Sequence, residues 1–223
     1  MSKTCLFVSF CDVCSYPAAC CKLELRYAIS VYGRHRSKWG RKQFEVLNRV
    51  FEYGLTTKDV GIIYSKGLDT HGANVIYCCA DSSHSVPRSQ GCTIIIMMNG
   101  AAVSMTPKKH TVNAASTYHG ELIEFSTACN KVSGMRNMMS EVGMHENEQT
   151  VVYQDNEAAI QIAKNWGSLS SRSRHIDLKV LQSRNKIEDG AVMPVPISTT
   201  LMLADIGTKK VYLTISSAFS EIR

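Results

Sequence analysis

The dipeptide Asn99-Gly100 lies between two apolar runs, GCTIIIMM and AAVSMTP, and constrains the fold more than any other feature of the chain. A two-residue hairpin loop needs positive φ at both central positions, which Asn and Gly adopt at least cost. The pattern therefore predicts a β-hairpin across residues 91–107. An apolar hairpin is only stable against other layers, so further strands and helices with apolar stripes must come from the rest of the chain.

Those elements are legible in the changing period of the hydrophobic residues. VGIIYS and NVIYCCAD, upstream of the hairpin, read as strands. Over residues 116–142, Leu122, Phe125, Cys129, Val132, Met135, Met139 and Val142 recur at steps of three and four, which is one apolar face of a long helix. TVVYQD then returns to strand and NEAAIQIAKN to helix. SRSRHIDLKVLQSRNKIEDG is a basic helix with Ser171 or Ser173 as its cap and Gly190 as its stop. AVMPVPI is a strand whose Pro194 and Pro196 confine it to an edge or make it irregular, and LMLADIGTKK is a final short helix. Before all of these, residues 24–54 read as two basic amphipathic helices divided around Gly33 to Gly40. The second carries Phe44, Leu47, Val50 and Phe51 at helical spacing and has Gly54 as its stop. The order implies an α/β fold: a mixed sheet with helices packed on it.

Composition limits the function classes. With 44% hydrophobic and 20% charged residues in 223, the chain is ordinary globular material, one domain plus an extension. Residues 1–70 hold eleven Lys and Arg against six Asp and Glu and so carry five of the net +6 charges, a distribution that suits a partner bearing phosphates or a solvated surface. Nine cysteines, five of them (Cys5, Cys11, Cys14, Cys20 and Cys21) in the first 21 residues, include one Cys11-x-x-Cys14 pair without a second pair or a spaced His pair. Reduced structural thiols are the expectation there, ahead of a zinc knuckle. CLFVSFCDVC is too short to span a bilayer, and no cleavable leader is recognisable, so a cytoplasmic or nuclear chain without a membrane partner is expected.

Four acids fall at element ends. Asp81 follows VIYCCA, Asp155 follows VVYQ, Glu121 lies in the first turns of the long helix, and Asp205 sits after LMLA. Carboxylates at strand termini of an open sheet point into the crevice where such sheets bind ligands. Were all four to converge, they would demand cations, and an all-oxygen donor set selects Mg²⁺ first and Mn²⁺ next. Taken alone, each has a plainer account: Asp155 as an N-cap, Asp81 as a turn residue, Glu121 and Asp205 as helical acids.

The ordered set of motifs resembles the ribonuclease H domain, with its preceding connection segment, of the Pol polyprotein of copia-type LTR retrotransposons. RVFEYGLTTKDVGIIYSKG resembles that family's connection, YCCADSS its first catalytic strand, and NGAAVSMTPKKHTVNAASTYHGEL its NGxxVSWxSKKQxTVxxSTxEAE. VYQDNEAAIQIAKN, SRSRHIDLKVLQSRNKIEDG and LADIGTKK are similar to DNxxAIxLAxN, RTKHIDIxxHFxRxxVxxG and LADxFTKxL. The resemblance implies a ribonuclease H-like five-stranded mixed sheet with helices on both faces, preceded by a basic helical extension. It divides the chain into 1–23, unassigned and expected to be poorly ordered; 24–70, the connection; 71–210, the ribonuclease H-like domain; and 211–223, a tail.

By motif, the four catalytic and metal-binding positions fall on Asp81, Glu121, Asp155 and Asp205. The implied activity is hydrolysis of the RNA strand of RNA:DNA hybrids with two Mg²⁺ or Mn²⁺ ions roughly 3.5 to 4 Å apart, Asp81 bridging them. Arg172, Arg174 and Lys179 are the candidates for holding backbone phosphates, their alternative being a solvated face. His175 comes with the HID motif and is assigned to local packing or hydrogen bonding. A reverse transcriptase domain is an implied partner in a full-length relative.

Departures from the pattern are His119 in place of a Glu, Met105 in place of Trp, Gly207 in place of Phe, and Pro194 and Pro196 in the last strand. They read as loss of constraint. They keep a second possibility in play: a catalytically inactive remnant that at most binds nucleic acid or a protein partner.

Overall fold

A computed structural model describes residues 3–33, 40–65, 67, 71–83, 91–109, 117–144, 148–164 and 174–207. The hairpin forms as the sequence predicts. β1 (Ile76–Ser83) is followed by β2 (Gly91–Met98) and β3 (Ala101–Lys109), and the last two are joined at Asn99 and Gly100 with φ of 53° and 78°. Positive φ at both positions is the primed turn whose twist matches the flanking strands. The chain then crosses through α4 (Thr117–Glu141) to β4 (Thr150–Gln154), and through α5 (Glu157–Lys164) and α6 (Arg174–Glu188) to β5 (Val192–Pro196).

The five strands form one mixed sheet in the order β3-β2-β1-β4-β5. β1–β2 and β2–β3 are antiparallel, whereas β1–β4 and β4–β5 are parallel. This is the expected α/β architecture. β5 lies at an edge, where Pro194 and Pro196 need not donate to a further strand. α6 stops at Gly190, whose φ of 70° lets its N–H reach Ile187 O while Ala191 N bonds Lys186 O.

Alternation along β1 and β4 builds two cores. On one face Ile76, Cys78, Ala80 and Val152 meet Phe125, Ala128, Cys129 and Val132 of α4. On the other, Cys79, Ile95, Met97 and Met105 meet Leu23, Met202 and Ala204. Leu23 belongs to an amino-terminal helical group of α1 (Lys3–Cys20), α2 (Arg26–Gly33) and α3 (Arg41–Thr56). These helices share their own core of Cys11, Cys14, Ala18, Leu25, Ile29, Leu47 and Val50. Arg26 Nε donates to Met105 O at 3.0 Å, which ties the group to β3. The buried Lys22 ammonium donates to Thr57 O and Val60 O just past the end of α3, satisfying carbonyls there with a cation.

Five local expectations change. VGIIYS forms no strand: its one backbone hydrogen bond to the sheet runs from Ser65 N to Asn99 O, and Ile63 is exposed, so no ladder develops. α3 runs two residues past Gly54, and Val142 lies beyond the end of α4 and is exposed. The closing helix is two short 3₁₀ helices, Thr199–Leu201 and Leu203–Gly207. Residues 3–20, which carry no assigned element in the sequence reading, form α1. Ser171, Ser173 and the tail 211–223 lie outside the described residues.

The second 3₁₀ helix packs on β1 and β2, and its last residue explains how closely. A β-carbon placed on Gly207 would fall 2.5 Å from Thr93 Cγ2 and 2.8 Å from Met105 Cε, and nearer still to Thr93 Oγ1. Gly207→Ala is therefore an overpacking change, expected to lower stability by about 1–3 kcal/mol in urea denaturation. Adding Thr93→Ala, which removes two of the three obstructing atoms, is expected to recover most of that loss. A double mutant as unstable as Gly207→Ala alone would refute the contact.

Candidate active site

β1 and β4 run in parallel with Ala80 opposite Gln154, and the next residue of each chain is an acid. Asp81, two residues before the end of β1, and Asp155, just past the end of β4, therefore follow the last pair of one register, in strands spaced about 4.8 Å apart. This is the point where the sheet changes from antiparallel to parallel pairing and where the crossover through α4 begins to open a crevice. Asp81 is buried beside Thr93, its β2 partner.

Asp155 is not the cap of α5. Asn156 Oδ1 accepts from Ala159 N at 3.1 Å, so the neighbouring residue satisfies the helix terminus. The carboxylate of Asp155 instead accepts from Thr199 Oγ1 at 3.3 Å.

α4 brings the third acid. Glu121 is 5% exposed and accepts a 2.6 Å hydrogen bond from Gln154 Nε2. Burial, then the charges of Asp81 and Asp155, push its carboxyl from the ordinary 4.5 up to about 8, against a smaller lowering effect of the Gln154 bond. The charges of Asp81 and Asp155 thus both act on the buried Glu121. Asp205 comes from the opposite face, in the 3₁₀ helix that lies on β1 and β2, and is half-buried.

One member was missed in the sequence. Glu124, one turn beyond Glu121, is fully buried, and burial raises its carboxyl well above the usual range, with Cys92, Glu121 and Asp81 adding to the effect and the Thr93 backbone only partly opposing it. Helical spacing held the signal, since positions 121, 124, 125, 128 and 132 lie on one stripe and the other four face the sheet.

The positive side is thinner. Lys108 of β3 and the half-buried Lys179 of α6 both act on the Cys92 thiol, and so lie in the neighbourhood of Asp81 and Glu121, which act on the same group. Arg172 lies outside the described residues, as do the side chains of Arg174, His175 and His119.

The buried thiols near the sheet are held in their protonated form. Burial pushes Cys79 and Cys129 up to about 12 and Cys92 to about 11, which suppresses the thiolate needed for attack or metal binding. Cys11 and Cys14 are buried in the helical core and form no disulfide.

The carboxylate set fits a hard divalent cation in donor type and charge. It does not form closed coordination as the side chains lie: among the described residues, no three His, Cys, Asp or Glu are placed to hold a metal ion. Also among the described residues, no helix is long and apolar enough to cross a membrane.

No family model matches the chain. It is 25% identical over 200 residues to the retrovirus-related Pol polyprotein from transposon TNT 1-94 of Nicotiana tabacum, covering 88% of this chain and 14% of that protein. It is 26% and 23% identical, over 188 residues each, to the retrovirus-related Pol polyproteins from transposons RE2 and RE1 of Arabidopsis thaliana, covering 83% of this chain and 13% of each. The chain thus spans about one-seventh of the length of these relatives, and its similarity is to one segment of transposon Pol polyproteins.

The raised Glu121 pKa gives a testable pH dependence. Folding raises it, so the folded chain keeps a proton that the unfolded chain releases above about pH 4.5. Stability is therefore greatest below that value, falls as pH rises towards about 8, and levels off beyond. Glu121→Gln keeps an acceptor for Gln154 and cannot ionise. Its melting temperature, followed by circular dichroism, is expected to match wild type at low pH and exceed it by several degrees above about pH 8. An unchanged gap across that range would contradict the buried, charge-crowded carboxyl.

Proposed function

We propose that the chain is the ribonuclease H segment of a retrotransposon Pol polyprotein and hydrolyses the RNA strand of RNA:DNA hybrids. The carrying observation is that Asp81 and Asp155 follow the paired residues of two parallel strands and that both charges, after burial, raise the buried Glu121 of α4 to about 8. Similarity to transposon Pol polyproteins over most of the chain supports the same reading.

The reaction is attack of a water oxygen on an RNA phosphorus with departure of the 3′ oxygen, and needs no protein nucleophile. Two Mg²⁺ or Mn²⁺ ions, held by Asp81, Glu121, Asp155 and Asp205, would supply water activation and neutralise charge on the leaving oxygen. The chain's own contribution is preorganisation. The strand register sets Asp81 beside Asp155, Gln154 orients Glu121, and Thr199 steadies Asp155, whose carboxylate is left for the site because Asn156 caps α5. Lys179 and Lys108 hold backbone phosphate near the acids, and the RNA strand is chosen by its 2′-hydroxyls and duplex shape rather than by base sequence. The open spacing of the carboxylates favours one competing account, a silent remnant that binds without cutting.

A labelled RNA:DNA hybrid with Mg²⁺ or Mn²⁺ separates the two. Cation-dependent cutting of the RNA strand is expected, reduced in Asp155→Asn by more than the 10- to 100-fold typical of losing an outer-shell partner. A folded wild-type chain that binds the hybrid and leaves it intact would establish the remnant instead. In binding assays, Lys179→Ala is expected to weaken affinity alike for all sequences and to reduce the salt slope by about one.

A further inference from the structure

β3 is an outer strand of the sheet, and among the described residues no further strand pairs with its free side. The hairpin decides which of its backbone groups look outward. A two-residue turn makes Met98 and Ala101 a hydrogen-bonded pair, so alternation turns the N–H and C=O of Ala102 away from β2. Beyond it the register shift leaves Val103 as the extra residue, sets Ser104 opposite Ile96, and turns Met105 and Pro107 outward. Two of these outward carbonyls hold side chains from far upstream. Tyr64 Oη donates to Ala102 O at 3.0 Å, and Arg26 Nε donates to Met105 O at 3.0 Å. Pro107 has no N–H to offer. An open strand edge is a template for another strand, and native chains blunt it with charges, prolines and covering segments. Ala102, Met105 and Pro107 are each blunted in one of these ways, and two of the blunting groups come from the amino-terminal segments that the proposed hydrolysis does not use.

We propose that the outer edge of β3 is a docking surface for a second copy of this chain, held shut by Arg26 and Tyr64. The occupant follows from the pattern on the edge. Two copies of β3 approaching antiparallel about Met105 would let each Met105 N–H reach the other Met105 O, and each Ala102 N–H reach the Pro107 O of its counterpart. Pro107 acts only as an acceptor in this pairing, which is all that its missing N–H allows. The exposed Lys108 of the two copies would lie at opposite ends of the ladder, whereas a parallel approach would set like charges side by side. Such a contact is isologous and closes at two copies. Arg26 occupies the central acceptor of that ladder and Tyr64 covers its end, so the edge is closed while both side chains are in place. The inference stands on ladder geometry and is independent of the hydrolytic reading.

Sedimentation velocity on the full chain over a range of concentrations tests it, with wild type, Arg26→Ala/Tyr64→Phe, and that pair combined with Ala102→Pro, each checked for fold by circular dichroism. Wild type is expected to sediment as a monomer, and the paired variant to form dimers at least tenfold more tightly than wild type. Ala102→Pro deletes an outward N–H without touching the ladder to β2, and is expected to undo the gain. A folded paired variant as monomeric as wild type would overturn the proposal, as would a gain that survives Ala102→Pro or runs on to open-ended assemblies. A wild-type chain already dimeric through this edge would overturn the guarding role of Arg26 and Tyr64. Should the paired variant lose its fold, Arg26→Met/Tyr64→Phe, which keeps the apolar stem at position 26 and removes the donor, carries the same test with the same outcomes.

Discussion

The parallel pairing of β1 with β4 is the constraint on which the site depends. Its register sets Ala80 against Gln154, so the two following acids are neighbours by construction. A slip of one residue would turn Cys78, Ala80, Val152 and Gln154 to the opposite face, exchange the two cores and separate Asp81 from Asp155. Parallel neighbours need a crossover, and here α4 is that crossover. Glu121 therefore reaches the strand ends because the same helix that links β3 to β4 also fills the core with Phe125, Ala128 and Val132.

The arrangement is held against its own electrostatics. Burial first, and then the charges of Asp81 and Asp155, push the Glu121 carboxyl up to about 8, while burial, with Cys92, Glu121 and Asp81 adding to it, raises Glu124 well above the usual range. Within the acid set the hydrogen bonds from Gln154 to Glu121 and from Thr199 to Asp155 are stabilising, against the mutual charge of the carboxylates. Its apolar surroundings on both faces of the sheet hold it together, reinforced by the amino-terminal helices through Leu23 and Arg26. That is the usual relation between a functional site and its scaffold, with local strain carried by packing elsewhere.

Much of this was legible in the sequence because the signals were local or periodic. Asn99-Gly100 specifies its own turn, the apolar steps of α4 mark a helix at any depth, and prolines at 194 and 196 require an edge. The losses have equally physical causes. VGIIYS has strand composition but, among the described residues, reaches the hairpin's backbone only through Ser65 N to Asn99 O, so composition without a neighbouring strand gave no strand. Asp155 and Asn156 are both good caps, and the choice between them turns on which residue the strand ends beside. Glu124 looked like any helical acid, since burial of a charge is set by the partner layer and not by its own flanks. Asp205 and its 3₁₀ helix depend on contacts with β1 and β2, nearly 100 residues or more away along the chain, which no local pattern encodes.

The departures Met105 and Gly207 illustrate the same point at the level of packing. Considered singly along the chain, the two departures from the resembled pattern look independent. In space they are one contact: the Met105 methyl and the Thr93 side chain occupy the volume that any side chain at 207 would need, and Met105 is itself buried, with its carbonyl accepting from Arg26. A flexible thioether can fill the gap beside a glycine where two rings would have to fit together. The 3₁₀ helix bearing Asp205 lies close against the sheet as a result, two residues before the glycine that permits it. Small volume at 207 and a flexible side chain at 105 thus fit one another, and the fit sets how the acid-bearing helix lies on the sheet.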